Sequence, residues 1–198
     1  MPSTPAHDAA VFIGRLQPLH QGHLALLARA LESAPSVVVV IGSAFQARSA
    51  KNPFTWEERA TLVRAAFPDA DRQGRLRFVP VRDYYNEARW VAAVRQGVSA
   101  QAGPDARIAL VGHFKDSSSS YLRRFPGWTL IDLERHTATD ATALRDAYFG
   151  AEAATLPAVL QDLGQQMPAC SVDFLRQFVQ QPAYAALQEE WQQAHTGL

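Results

Sequence analysis

The sequence predicts an α/β fold, in which a doubly wound parallel sheet of about five strands is followed by a small helical appendage. Two observations lead to this prediction. Short apolar runs alternate with amphipathic helical patterns, and each run borders a glycine or a polar loop. The chain has 198 residues and is 47% hydrophobic, which is enough to bury a core and excludes a disordered chain.

Five apolar runs are the predicted strands, at residues 11–13, 37–41, 76–81, 108–111 and 128–133. Their continuous apolar character is typical of strands that a parallel sheet buries on both faces. Amphipathic helical stripes lie between the first four strands, around Leu27, Leu62 and Val94. Right-handed crossovers then give a Rossmann-like sheet whose ligands bind at the carboxyl ends of the strands.

The strand-like runs stop after Gly150, and the rest of the chain has only helical patterns. These cover residues 154–163, 172–179 and 184–191, and they are interrupted by Pro168 and Pro182. We therefore predict a Rossmann-like domain at residues 1–150 and a helical appendage at residues 151–198.

The charges divide in the same place. The chain carries 19 Lys and Arg against 19 Asp and Glu, but residues 1–150 have a net charge of +4 and residues 151–198 a net charge of −4. A zero total argues against a nucleic-acid partner, because a protein that binds nucleic acid normally carries an excess of basic residues. Only two basic residues are lysines, Lys51 and Lys115.

Cys170 is the only cysteine, which excludes an internal disulfide and a multi-cysteine zinc site. The first ten residues lack the pattern of a signal peptide, and no apolar stretch has the length of a membrane span. We expect a soluble cytoplasmic protein with no membrane partner.

The segment that leaves the first predicted strand is rich in phosphate-binding chemistry. His20 and His23 are three residues apart at the start of a helix, whose free N–H groups suit phosphate. Gly14 and Gly22 let the backbone approach a ligand, and Arg15 adds a fork of donors.

This segment resembles the H-x-G-H signature of the nucleotidylyltransferase superfamily. Its longer form, G-R-x-Q-P-x-H-x-G-H, is similar to nicotinamide mononucleotide adenylyltransferases of archaeal type. The run N-P-F-T-x-x-E-R extends the similarity, and the resemblance implies that Lys51, just before it, reaches the triphosphate, with Arg48 as a possible substitute. Thr55 and Glu58 in this run have the spacing of a helix capping box.

A third matching segment follows the third strand. The resemblance implies that Asp83 and Trp90 bind the mononucleotide, with the indole of Trp90 stacked on the nicotinamide ring; a core role for Trp90 remains open. Glu87 stands where the family often has Asn, and Asn86 precedes it. The resemblance therefore implies that contacts to the carboxamide group of the nicotinamide come from these two residues.

Two further segments resemble ATP-binding parts of the family. Gly112 and Lys115 lie in a run similar to the adenylyltransferase half of bacterial Nudix hydrolase fusions. Thr142 and Arg145 match S-x-T-x-[IL]-R, whose Thr and Arg bind the β and γ phosphates of ATP. Asp140 replaces the Ser of that pattern and is an equally good helix N-cap.

The resemblance implies adenylyl transfer from ATP to nicotinamide mononucleotide. The implied catalytic residues are His20, His23, Arg15, Lys51 and Arg145. The implied ATP-binding residues are Gly14, Gly22, Gly112, Lys115 and Thr142, and the mononucleotide-binding residues are Asp83, Asn86, Glu87 and Trp90. No carboxylate cluster marks a protein-bound metal, so we expect magnesium (Mg²⁺) to be carried by the ATP phosphates.

Three alternatives remain open. The acceptor could be nicotinic acid mononucleotide, or pantetheine or polyol phosphate in a related adenylyl- or cytidylyltransferase. The protein could also be a nucleotide-binding sensor without turnover.

The sequence has no Nudix hydrolase run, so we do not expect hydrolase activity. The helical appendage could either cap the fold or make a homo-oligomer contact.

Overall fold

The computed structural model describes residues 6–113, 123–134 and 139–196. Its strands are β1 (Ala9–Gly14), β2 (Val37–Ile41), β3 (Leu76–Pro80), β4 (Ile108–Gly112) and β5 (Thr129–Asp132). Its helices are α1 (Gln21–Ser33), α2 (Trp56–Ala66), α3 (Pro68–Arg72), α4 (Glu87–Ala102), α5 (Ala141–Gly150), α6 (Leu156–Leu163), α7 (Ala169–Phe178) and α8 (Pro182–Thr196).

The five strands form one parallel sheet in the order β3-β2-β1-β4-β5. The strand order reverses between β1 and β4, where a doubly wound sheet opens a crevice at the carboxyl ends of its strands. The predicted α/β fold class is confirmed. The loops after β1, β2 and β4 therefore meet at one rim of the sheet.

The prediction that all five strands are buried on both faces is wrong for two of them. Strands β1, β2 and β4 are buried along their length, whereas β3 is only partly buried and β5 is largely exposed. The strand order explains the difference, because β3 and β5 are the two edge strands. The short helix α3 was also not predicted; Pro68 starts it.

Apolar side chains fill both faces of the sheet. One cluster packs the first two helices against Phe12, Val39 and Val111, and the other packs α4 against Val11, Val38 and Leu110. Helix α2 begins at Thr55 with the predicted capping box: the Thr55 hydroxyl accepts from the Glu58 amide at 3.3 Å, and Glu58 accepts from the Thr55 amide at 2.8 Å.

The last three helices pack on α5 through a third apolar cluster. This cluster includes Phe54, Tyr148 and Phe178, and the Tyr148 hydroxyl donates to the Leu175 carbonyl at 2.9 Å. The Gln21 amide at the start of α1 donates to the Gln166 carbonyl at 2.9 Å. The division of the chain at residue 150 stays a prediction. Within the described ranges, no helix has the length and apolar character to cross a membrane.

Candidate active site

Two histidines shape the start of α1. His20 is the N-cap residue, and its Nδ1 accepts from the Gly22 amide at 3.2 Å, while Nδ1 of His23 accepts from the His20 amide at 3.4 Å. The two rings stack with their centroids 3.7 Å apart. Because each Nδ1 is an acceptor, this hydrogen bonding assigns the proton of each neutral ring to Nε2.

The environment of His23 disfavours its charged form. Burial lowers the pKa of His23 well below its usual 6.5, and the nearby His20, His113 and Arg15 lower this pKa further. His23 is therefore neutral at pH 7, and as a neutral ring it still has an Nε2–H to donate. Nδ1 of His113, just after β4, is 2.5 Å from the Leu133 carbonyl, and the ring lies near enough to His23 to influence its pKa.

Arg145 reaches the same rim from the first turns of α5. It is 6% exposed, and it donates to the Gln17 carbonyl at 2.7 Å and to the Thr142 hydroxyl at 3.2 Å. Burial, and then the charge of Arg15, lower the pKa of Arg145. Asp140 caps α5, since its carboxylate accepts from the Thr142 amide at 2.9 Å. The Asp140 carboxylate is thus engaged with the backbone of the helix that carries Arg145.

An open cleft of about 450 Å³ lies at the carboxyl ends of β1 and β2. The residues that line it include Gly14, Arg15, Asp83, Glu87 and Trp90. Trp90 lies edge-on to Phe125, with the ring centroids 5.9 Å apart, and is only partly buried. Its indole therefore both packs on the core and borders the cleft.

The carboxylates of the cleft have defined partners. Asp83 accepts from the Ser43 hydroxyl at 2.8 Å and from the Gln46 amide at 2.8 Å. Glu87 pairs with Arg124 at 3.0 Å. Asn86 is the N-cap of α4, and its side-chain oxygen accepts from the Arg89 amide at 2.9 Å.

The remaining predicted residues fall into three situations. Lys51 is exposed in the turn that the bridge between Ser49 and Asn52 closes, whereas its suggested substitute Arg48 is engaged in a bidentate pair with Glu58. Gly22 lies in the first turn of α1, and Gly112 ends β4. Lys115 lies outside the described residues.

Three residues to which the sequence analysis assigned no role, two of them positions of the quoted motifs, hold these loops together. Gln17 donates to and accepts from the backbone of Phe54, at 2.8 and 3.0 Å. Ser43 orients Asp83, and Arg59 binds the carbonyl oxygens of Arg15, Gly42 and Ser43. Two sequence signals were available for Arg59: this residue ends the run N-P-F-T-x-x-E-R, and it precedes Leu62 and Val63 on the apolar stripe of α2.

Known proteins are similar to this chain in sequence and in fold. The sequence model of the cytidylyltransferase-like family matches residues 11–97. A nicotinamide/nicotinic acid mononucleotide adenylyltransferase of Acinetobacter baylyi is 37% identical over 185 residues, which cover 93% of each chain. The chain belongs to the family of nicotinamide mononucleotide adenylyltransferases.

Two more adenylyltransferases are similar. A nicotinamide-nucleotide adenylyltransferase of Ignicoccus hospitalis is 40% identical over 68% of this chain and 78% of its own. A bifunctional NMN adenylyltransferase/ADP ribose pyrophosphatase of Francisella tularensis, solved with AMP and a manganese ion, matches 93% of this chain with a TM-score of 0.76 and 31% identity. The chain spans about half the length of that solved structure.

The low pKa of His23 in this adenylyltransferase has a consequence for stability in acid. In the unfolded chain His23 has its usual pKa of 6.5, whereas in the folded protein this pKa is well below 6.5. Between these two values the unfolded chain therefore binds more protons than the folded one, so the free energy of unfolding should fall as the pH drops below 6.5. The slope from one such group is at most about 1.4 kcal/mol per pH unit. Urea denaturation from pH 7.5 to about 5 measures it.

The variant His23→Gln should lose this part of the pH dependence. His195→Gln is the control, since His195 is half exposed on α8. Equal slopes for the wild type and His23→Gln would contradict the assignment of a low pKa to His23.

Proposed function

We propose that this protein transfers the adenylyl group of ATP to the phosphate of nicotinamide mononucleotide, forming NAD and releasing pyrophosphate. One observation carries the proposal: the cleft beside Trp90 and the rim of His23 and Arg145 are continuous through Arg15, which lines the cleft and lies near both. A mononucleotide in the cleft can thus direct its phosphate towards a triphosphate at the start of α1.

The transfer needs no covalent enzyme intermediate. The mononucleotide phosphate attacks the α-phosphorus in line, the bond to the bridging oxygen breaks, and pyrophosphate leaves. Nε2–H of His20 and His23 donates to the phosphate oxygens on which charge develops. Arg15, Arg145 and the Thr142 hydroxyl bind the leaving pyrophosphate, and Lys51 adds positive charge from its exposed turn.

The mononucleotide occupies the cleft. The indole of Trp90 stacks on the cationic pyridinium ring, which is a favourable cation–π pair. Asp83, held by Ser43 and Gln46, and Glu87 add negative charge around this ring, and Glu87 can accept from the carboxamide. Asn86 contributes by fixing the start of α4.

Magnesium enters as part of the MgATP substrate. Among the residues that the structure describes, no three His, Cys, Asp or Glu side chains form a group that could hold a metal ion. The ATP phosphates and water supply the oxygen ligands that Mg²⁺ prefers, and the ion neutralises the pyrophosphate alongside the arginines.

Pyrophosphate release tests the proposed function. The purified protein is given MgATP with one acceptor at a time: nicotinamide mononucleotide, nicotinic acid mononucleotide, pantetheine phosphate or a polyol phosphate. We expect the highest kcat/KM with the nicotinamide substrate and NAD as the product. Tight ATP binding without pyrophosphate release from any acceptor would support a sensor instead.

Nicotinic acid mononucleotide is the second candidate acceptor, because the Acinetobacter relative is named for both mononucleotides. The substrates differ in one group, a carboxylate in place of an amide, and Glu87 at the cleft would repel the carboxylate. We expect Glu87→Gln to reduce the preference for the amide substrate by about threefold, the effect of about 0.6 kcal/mol from one exposed charge that Arg124 partly neutralises.

The measurement is kcat/KM for both mononucleotides with the wild type and Glu87→Gln. Glu152→Gln is the matched control, because Glu152 is exposed and remote, beyond α5. If Glu87→Gln left the ratio of the two kcat/KM values unchanged, Glu87 would have no part in the choice of acceptor.

A further inference from the structure

Arg59 on α2 is a buried cation that lies beneath the active-site loops. It is 1% exposed, and four hydrogen bonds from its guanidinium end on backbone carbonyl oxygens: those of Arg15 at 2.6 Å, Gly42 at 2.8 Å, Ser43 at 3.2 Å and Thr55 at 3.1 Å. Burial lowers the pKa of Arg59 to about 10, so the group stays charged at pH 7.

Two of these carbonyls belong to peptides that precede residues with unusual backbone angles. Leu16, after Arg15, has φ of 55°, and Ser43, after Gly42, has φ of 50°. Non-glycine residues rarely adopt such left-handed angles, which persist only when the surrounding structure holds them. The Arg59 guanidinium binds the carbonyl that directly precedes Leu16 and the carbonyl that directly precedes Ser43. One side chain therefore holds the turn at Arg15 and Leu16 and the turn at Gly42 and Ser43.

The two turns border the cleft together, and each also serves a different part of the active site. The first carries Arg15, which lies near His23 and Arg145. The second carries Ser43, whose hydroxyl orients Asp83 in the cleft. The loops also contact each other directly, since the Gly42 amide donates to the Gly14 carbonyl at 3.0 Å.

We propose that Arg59 is a positioning residue for both substrates: by binding the carbonyls of Arg15, Gly42 and Ser43, it sets the distance between the phosphate rim and the mononucleotide cleft. This inference rests on the proposed function, because it assigns ATP to the rim of His23 and Arg145 and the mononucleotide to the cleft. Lysine cannot replace the arginine, since an ammonium lacks the planar fork that reaches several carbonyls at fixed angles.

The test compares Arg59→Lys and Arg59→Met with the wild type in steady-state assays that vary ATP and nicotinamide mononucleotide separately. Misplaced loops weaken contacts to both substrates, so we expect KM for each to rise by about tenfold in Arg59→Lys and further in Arg59→Met. Arg64→Lys is the matched control on the same helix, because the Arg64 side chain is about half exposed.

A role in stability alone gives a different result. Partial unfolding reduces the active fraction and therefore kcat, but leaves both KM values as in the wild type. That pattern, a rise in only one KM, or complete loss of the folded state in both variants would overturn the proposal. Absence of turnover in the wild type would contradict the proposed function instead, and calorimetric ATP binding by the variants would still report on the Arg15 loop.

Discussion

His23→Ala should lower kcat by about 10²- to 10³-fold, with a smaller effect on KM for either substrate. The expected size follows from removing one hydrogen-bond donor aimed at developing phosphate charge, which costs about that much in other enzymes. Since the neutral His23 ring already presents Nε2–H, this loss should persist across neutral and mildly alkaline pH. Pyrophosphate release at saturating MgATP and mononucleotide, at pH 7.5, measures it.

His195→Ala is the control for this prediction. His195 stacks on Trp191 with ring centroids 4.1 Å apart, on α8, and its removal should leave kcat within about twofold of the wild type because such a surface substitution has a small effect. A folded His23→Ala protein with wild-type kcat would show that His23 takes no part in the transfer.

Arg145→Ala should have the second large effect, a fall of about 10²-fold or more in kcat/KM for ATP. The guanidinium is charged, buried and next to Thr142, so it can bind pyrophosphate strongly in a site of low polarity. Its loss also leaves the buried Gln17 carbonyl without its donor, which should reduce the free energy of unfolding by about 1–3 kcal/mol.

The two consequences of Arg145→Ala can be separated. Arg145→Lys keeps the positive charge and should recover part of the activity, while urea denaturation reports the stability of both variants. Arg176→Ala is the control, because Arg176 is exposed on α7 and pairs with Asp173 three residues before it. Equal kcat/KM values for ATP in the wild type, Arg145→Ala and Arg176→Ala would remove Arg145 from the phosphate site.

Structural features that depend only on residues close together in the sequence could be predicted from it. The apolar runs gave the strands, and the capping residues Thr55 and Asp140 marked the starts of α2 and α5. The exposure of β5 could not be predicted in this way, because it depends on the position of the strand at the sheet edge, which only the assembled topology decides.

The same distinction applies to the candidate site. The H-x-G-H and S-x-T-x-[IL]-R resemblances pointed to His20, His23 and Arg145 as separate motifs. The contacts that join the motifs span long stretches of chain: Gln17 to Phe54 across 37 residues, and Arg145 to Gln17 across 128. The local pattern at Arg59 indicated only a core-facing position, not which carbonyls its guanidinium would bind.

The packing of the last three helices bears on how this protein can be shortened or fused. The Gln17 side chain binds the backbone of Phe54. The Phe54 ring lies edge-on to those of Phe174 and Phe178 of α7, at centroid distances of 5.1 and 5.2 Å. A chain cut at residue 150 would expose Phe54 and the apolar face of α5 to water, a surface that promotes aggregation. The smallest well-behaved recombinant fragment should therefore retain α7 and α8, even though the proposed catalytic residues all precede them.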